Sequence, residues 1–350
     1  MSQRDLIKCL DNIRFFELYG SLRSKITNSQ TIILNYHRIG PVTDEWMITP
    51  LHQKIFEKQM KYLSENYEII SLNNLNEMII KGSIPKKAVV ITFDDGYKDN
   101  YKFAFPILKK YNIPATMFLT TGPIEQKEMF WWDKINYVLS HTDVKSIDLN
   151  DIGTYQLISD EDKIKSGFNI VEKLKTIKND KKESIIKNLI DITHVNIPDK
   201  LGNQHVLSWN EIKKMDKNGI DFGAHTVNHP ILTKVTLDEA KWEIVNSKNI
   251  IEEVLERKIN SFAYPNGQND DFNKRILSLV KNSGFNCSVS FLPGLVKNSV
   301  NELYKLKRSS GEFNDFRSLK SNLCGFSGDK FKFMRILRNL KLCNHIKSIR

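Results

Sequence analysis

The stretch AVVITFDDGY, residues 88–97, constrains the fold of this chain most. Its first six residues are short, rich in β-branched side chains and nearly all apolar, the pattern of a strand buried on both faces of a parallel sheet. Two adjacent carboxylates, Asp94 and Asp95, follow with no polar transition, and Gly96 permits a sharp turn. In α/β folds, ligands and chemistry gather at the carboxyl ends of strands. Two carboxylates side by side in such a place repel each other unless a cation or a shared proton relieves them. Taken alone, the stretch also reads as a turn that caps a helix.

Strand-like and helix-like segments alternate along most of the 350 residues. Strands are expected at 31–39, 67–72, 88–93, 114–121, 219–226, 261–265, 287–291 and 303–309. Helices are expected at 51–66, 97–111, 236–258 and 271–283. This rhythm argues for parallel β/α units, as a barrel or an open sheet. Residues 125–207 break it and read as a mainly helical insertion. Its aromatics Phe130, Trp131 and Trp132 either line a sugar site or form the insertion's own small core, the commoner role of such clusters.

A hydrophobic content of 40% and a charged content of 27% place the chain among soluble globular proteins. Four scattered cysteines, with no C-x-x-C spacing, imply reduced thiols rather than a disulfide framework or a thiolate metal site. No stretch reads as a signal peptide or reaches transmembrane length, so a cytoplasmic location is expected. Much of the net charge of +11 lies beyond Phe313, where nine Lys or Arg face two Asp. The terminal segments, 1–29 and 311–350, are read as helical. Their apolar faces, Leu6, Leu10 and Ile13 at one end and Phe333, Leu337 and Leu340 at the other, suit packing on the main fold or resting on an anionic membrane surface. No recognised module supports nucleic-acid binding.

Two more stretches leave expected strands. In GIDFGAHTVNHP, His225 and His229 lie four residues apart beyond a strand that ends near Ala224. Two imidazoles at that spacing reach one ion if the backbone coils through a single turn. With one Asp they make a suitable ligand set for zinc or a similar divalent ion, with positions left for water. In SFAYPNG, Pro265, Asn266 and Gly267 form a turn whose N–H groups are either plain loop or donors to a developing oxyanion.

TFDDGY, HTVNH and AYPNG, in this order and at these intervals, resemble the polysaccharide deacetylase family, the nodulation-type deacetylases also called carbohydrate esterase family four. ILNYHRIG and FWWD resemble a bacterial branch found with surface-polysaccharide genes. The resemblance covers roughly residues 30–310 and implies a distorted, incomplete (β/α) barrel. It also implies metal-dependent removal of an N-acetyl, less often O-acetyl, group from a polysaccharide or lipid-linked glycan. Carried over by position, Asp95, His225 and His229 match the metal ligands and Asp94 the catalytic base. Zinc is the expected metal, with cobalt, nickel or manganese as alternatives. Tyr97, Trp132, Tyr264, Pro265 and Asn266 are the expected substrate and oxyanion residues, with a backbone N–H near Tyr264 facing the oxyanion.

Two departures matter. Where many members have Arg-x-Pro-Tyr, this chain has Ala263, Tyr264, Pro265 and Asn266, so the Arg that orients the base is missing. Arg308 is the candidate replacement, unless it is a surface residue. The late Leu-x-x-His-type motif that donates the general acid is also absent. His37, in YHRIG, is the candidate acid, or else a structural histidine bonded to backbone. A non-sugar amidohydrolase of the same fold and a catalytically impaired glycan-binding module are the alternative functions.

Overall fold

A computed structural model describes residue 19 and residues 31–41 and 49–326 of the chain. The residues AVVITF form a strand with every side chain buried and parallel neighbours on both sides. Eight strands make one sheet: β1 (Ile32–Tyr36), β2 (Glu68–Ile69), β3 (Ala88–Phe93), β4 (Ala115–Leu119), β5 (Ile220–Ala224), β6 (Ser261–Ala263), β7 (Cys287–Val289) and β8 (Arg308–Ser310). Their order is β7-β6-β5-β4-β3-β1-β8, with β2 beside β3, and all pairs are parallel. The two ends of the sheet meet where Leu306 N–H donates to Ser288 O at 3.0 Å and Ser290 N–H to Leu306 O at 2.9 Å. The result is a nearly closed (β/α) barrel, as the resemblance implied.

Side chains alternate across each strand, and here they divide into two cores. Ile32, Leu34 and Tyr36 of β1 join Val89, Ile91 and Phe93 of β3 in one cluster, packed by Phe56, Met60 and Leu63 of α1 (Gln53–Asn66). Ile33 and Val90 belong to the other, with Phe118, Val289 and Leu306, closed by Leu72, Leu75 and Ile79 of α2 (Leu72–Ile80). Toward the carboxyl ends the second set turns polar through Asn35, Thr92 and Asp94, all buried. That switch, from Ile33 to Asn35 on β1 and from Val90 to Thr92 on β3, seats a polar site on an apolar barrel.

Some local expectations change. The helix expected over 97–111 starts as a π-helical turn, Asn100–Ala104, before Phe105–Lys110. Pro106 has no N–H to donate into a regular α-turn. The strand expected over 303–309 divides into a 3₁₀ turn, Val300–Lys305, and β8. The insertion, between β4 and β5, packs α3 (Trp131–His141), α4 (Asp160–Leu174) and α5 (Asn179–Thr193), with a small antiparallel hairpin, Ser146–Asp148 and Thr154–Gln156, that the sequence did not suggest. Gly202 permits its return to the barrel, since a Cβ there would fall 1.6 Å from Lys127 O. The expected N-terminal helix over 1–29, Tyr19 apart, and residues 327–350 of the basic segment lie outside the described residues. Among the described residues, no helix is long and apolar enough to cross a membrane.

Candidate active site

Five strand ends build one site. Asp94 and Asp95 follow β3, His225 and His229 follow β5, Asn266 follows β6, and His37 follows β1. Arg308 opens β8 and Glu312 leaves it. Left-handed backbone at Asp95 (φ 74°), Thr226 (φ 68°) and His229 (φ 56°) coils the chain back on itself at the DDG and HTVNH turns. Side chains rarely take that conformation unless their surroundings enforce it.

The enforcement at the HTVNH turn comes from Glu243 on α6 (Leu237–Leu255). Its buried carboxylate accepts hydrogen bonds from the N–H groups of Val227 (2.7 Å) and Asn228 (2.8 Å) and from Asn228 Nδ2 (2.8 Å). Nothing in the sequence singles Glu243 out, because it sits on an ordinary amphipathic helix. We expect Glu243→Gln, whose amide cannot accept all three bonds, to weaken divalent-metal binding by about 10–100-fold, as loss of outer partners does. Calorimetric metal titration, beside a thermal melt, checks this.

The turns bring Asp95, His225 and His229 together, with one ligand atom from each lying within 4.8 Å of the others. His225 Nε2 and His229 Nε2 stand 3.6 and 3.5 Å from Asp95 Oδ1 and 3.2 Å from each other. His225 Nδ1–H donates to Ala263 O at 2.7 Å, which leaves the Nε2 lone pair facing the centre. Burial pushes His225 down to about 4, and burial with His225 beside it pushes His229 well below the usual range. Burial also pushes Asp95 up to about 7, against the pull of His37 and with Asp94, Asp133 and Glu312 adding to it. Unprotonated imidazoles and a costly buried carboxylate that converge on one point fit a divalent cation.

Asp94 is held differently. Arg308 grips it with both arms, Nη1 to Oδ1 and Nη2 to Oδ2 at 2.7 Å each, and Asn35 Nδ2 donates to Oδ2 at 3.1 Å. Burial opposes ionisation of Asp94, but Arg308 overrides it and holds the carboxyl far below its ordinary range. Arg308 is 1% exposed and also donates to Asn35 Oδ1 and Ser290 O, so it is no surface residue. His37 faces the same cavity, with its Nδ1 3.2 Å from Glu312 Oε2, while its backbone N–H donates to Glu312 Oε1 at 2.6 Å. Burial would lower the His37 pKa, yet Glu312 raises it to about 9. Glu312 was not legible as a site residue, since it lies in no motif, and Asn35, though inside ILNYHRIG, carries no signal there that marks it as a partner of Asp94.

The expected substrate residues fare unevenly. Trp132 borders the cavity and packs edge-on against His229, with ring centroids 4.6 Å apart. Phe130 is 1% exposed and stacks under Trp132, the packing that the small-core reading of the cluster expects. Tyr97 is a correction: it is fully buried, and its hydroxyl donates to Asp133 Oδ2 and accepts from Trp132 Nε1, so it braces the wall without reaching the cavity. Tyr264 is another. Its ring stacks on Phe272, its hydroxyl donates to Tyr304 O, and its backbone N–H is spent on Val289 O. Pro265 has no N–H to offer and lies off the cavity. Asn266 alone of the turn borders it, and no acceptor among the described residues takes its backbone N–H.

Comparison with known proteins bears on the family and the fold. Residues 81–288, more than half of the chain, match the sequence model of the family described as polysaccharide deacetylase. YxkH of Bacillus subtilis (strain 168), named for the same family, is 24% identical over 264 residues, 75% of this chain and 64% of its own length. The poly-β-1,6-N-acetyl-D-glucosamine N-deacetylase of Staphylococcus aureus (strain MSSA476) is 33% identical over 125 residues, 32% of this chain and 43% of its own length. The alignments thus span less than two thirds of either relative. The fold is similar to that of the Streptococcus pyogenes deacetylase PplD in complex with acetate, with a TM-score of 0.54 and 22% identity over 80% of this chain and 91% of that one. The matched segment contains Asp94, Asp95, His225 and His229, and it stops short of Arg308 and Glu312. On motif order, matched segment and barrel together, the chain belongs to the polysaccharide deacetylase family.

Proposed function

We propose that this chain is a metal-dependent deacetylase that hydrolyses the N-acetyl group of an amino-sugar residue in a glycan. One observation carries the reading: a ligand triad, a guanidinium-held carboxylate and a carboxylate-held imidazole share one cavity at the strand ends. Asp95, His225 and His229 hold the ion, with zinc preferred for its fit to two imidazoles and one carboxylate. When bound, a divalent ion supplies polarisation of the amide carbonyl and a more acidic water.

The chain's own residues do the rest. Asp94 takes the proton of the attacking water as general base. Its Oδ1 accepts a single bond from Arg308 and so keeps a lone pair free. The Asn266 N–H faces the oxyanion. His37, protonated at neutral pH through Glu312, gives its proton to the departing amine.

Acetate release from a panel of N- and O-acetylated glycans tests the proposal. The full chain is stripped with chelator and reloaded with zinc, cobalt, nickel or manganese, with His225→Ala as control. Metal-restored release that the variant lacks supports it. Tight metal binding without release from any glycan sinks it and leaves an amidohydrolase of other substrates or a glycan-binding module. The same reading makes a pH prediction. A group needed in its protonated form loses activity as pH rises through its pKa, near 9 for His37. Glu312→Gln removes the charge that raises this pKa, so the alkaline limb of the rate profile should move to lower pH. An unmoved limb excludes His37 as the acid. We extend the proposal to a cytoplasmic location with peripheral contact of the basic terminal segments with anionic membrane, tested by flotation with anionic vesicles.

A further inference from the structure

Beside the triad lies a cavity of about 300 Å³ whose outer wall comes from the insertion rather than the barrel, with Val171 of α4 and Lys182 of α5 among its lining residues. The Lys182 side chain is 6% exposed and its ammonium lies 4.9 Å from the centroid of the Trp131 ring. A buried ammonium forfeits most of its hydration, so such groups are seldom kept without a counter-charge. The neighbouring carboxylates supply little. Glu183 approaches to 3.2 Å but is itself 56% exposed, and Glu243, also within Coulombic reach, is spent on the Val227 and Asn228 donors. An orphan donor sits on the same wall: Trp131 Nε1–H is buried with no acceptor. Of the other two lysines at the cavity, Lys175 is paired with Glu172, whereas Lys234 makes no ion pair among the described residues. A bound metal adds positive charge here and relieves none of this.

We infer that Lys182, with Trp131 Nε1 and Lys234, forms an anion subsite, and that the substrate carries a carboxylate or phosphate close to the acetylated nitrogen. The inference rests on the reading that this cavity receives the substrate. Apolar surroundings strengthen a charge-assisted hydrogen bond to such a group. A neutral sugar leaves the donors unpaired, and sites built around buried polar groups discriminate strongly on that ground.

Calorimetric titration of the full chain tests it with three probes: methyl glucuronide, N-acetylglucosamine 1-phosphate and neutral N-acetylglucosamine. Each is run with excess chelator and again after metal loading, which separates the subsite from coordination to the metal. Lys182→Met keeps an aliphatic stem over Trp131 and loses the charge, and Lys182→Arg restores the charge. We expect one anionic probe to bind wild type about tenfold or more tighter than the neutral sugar, with the preference lost in Lys182→Met and largely regained in Lys182→Arg. The preferred probe tells carboxylate from phosphate. No anionic preference in wild type, a preference that survives Lys182→Met, or one confined to the metal-loaded protein overturns the inference. Turnover is not read, so Lys182-dependent anion binding without acetate release would sink only the deacetylase proposal.

Discussion

Asp94→Asn is expected to lower acetate release by about 10²–10⁴-fold, the usual worth of a positioned general base. Asparagine keeps a carbonyl oxygen for Arg308 but cannot take a proton from water. The ligands Asp95, His225 and His229 are untouched, so metal binding should persist within a few-fold. Calorimetric metal titration beside single-turnover acetate assays separates the two. A fall in both would mean that Asp94 shapes the metal site rather than acting on the water. Retained turnover would remove Asp94 from the mechanism.

Arg308→Met is the second large effect. It leaves the Asp94 carboxylate buried without its guanidinium, and breaking a buried pair in this way costs about 3–5 kcal/mol. Arg308→Lys should recover only part of this, because an ammonium cannot make the two parallel 2.7 Å bonds. The pair also gives stability a pH signature. The folded-state pKa of Asp94 lies below its unfolded value, so the contribution is present above the ordinary carboxylate range and is lost as pH falls through the folded value. In Arg308→Met, burial acts unopposed, Asp94 protonates at higher pH, and the acid limb of any residual activity should shift upward. Denaturant melts from pH 3 to pH 8, with rate profiles over the same range, check both signs. A variant as stable as wild type, with an unmoved acid limb, would show that the pair does not govern Asp94.

The place of Arg308 bears on what a linear reading leaves open between a replacement arginine and a surface one. In many family members the orienting arginine stands in the third motif, where this chain has Ala263. The guanidinium arrives instead from β8, because the register that sets Ile33 opposite Arg308 brings it over Asn35 and Asp94 inside the barrel. Tyr97 and Tyr264 illustrate the opposite error. Both stand inside motifs, yet each hydroxyl turns into the protein and is consumed there. Position in a motif locates a backbone; the side chain's direction depends on what packs around it.

The sequence by itself determined the alternating β/α plan, the strand ends that carry polar residues, and the paired carboxylates and paired imidazoles placed there; which carboxylate serves the metal and which the water is what the family resemblance implies. Plan, strand ends and pairs each depend on local periodicity or fixed spacing, and both survive folding unchanged. Only the tertiary structure decided that Arg308 holds Asp94, that Glu312 reaches His37 across 275 residues of chain, that Glu243 braces the HTVNH turn, and that Lys182 is buried at the cavity. These are contacts across barrel closure and insertion docking. The chain carries no periodic signal for them, because their partners become neighbours only when the sheet curls shut.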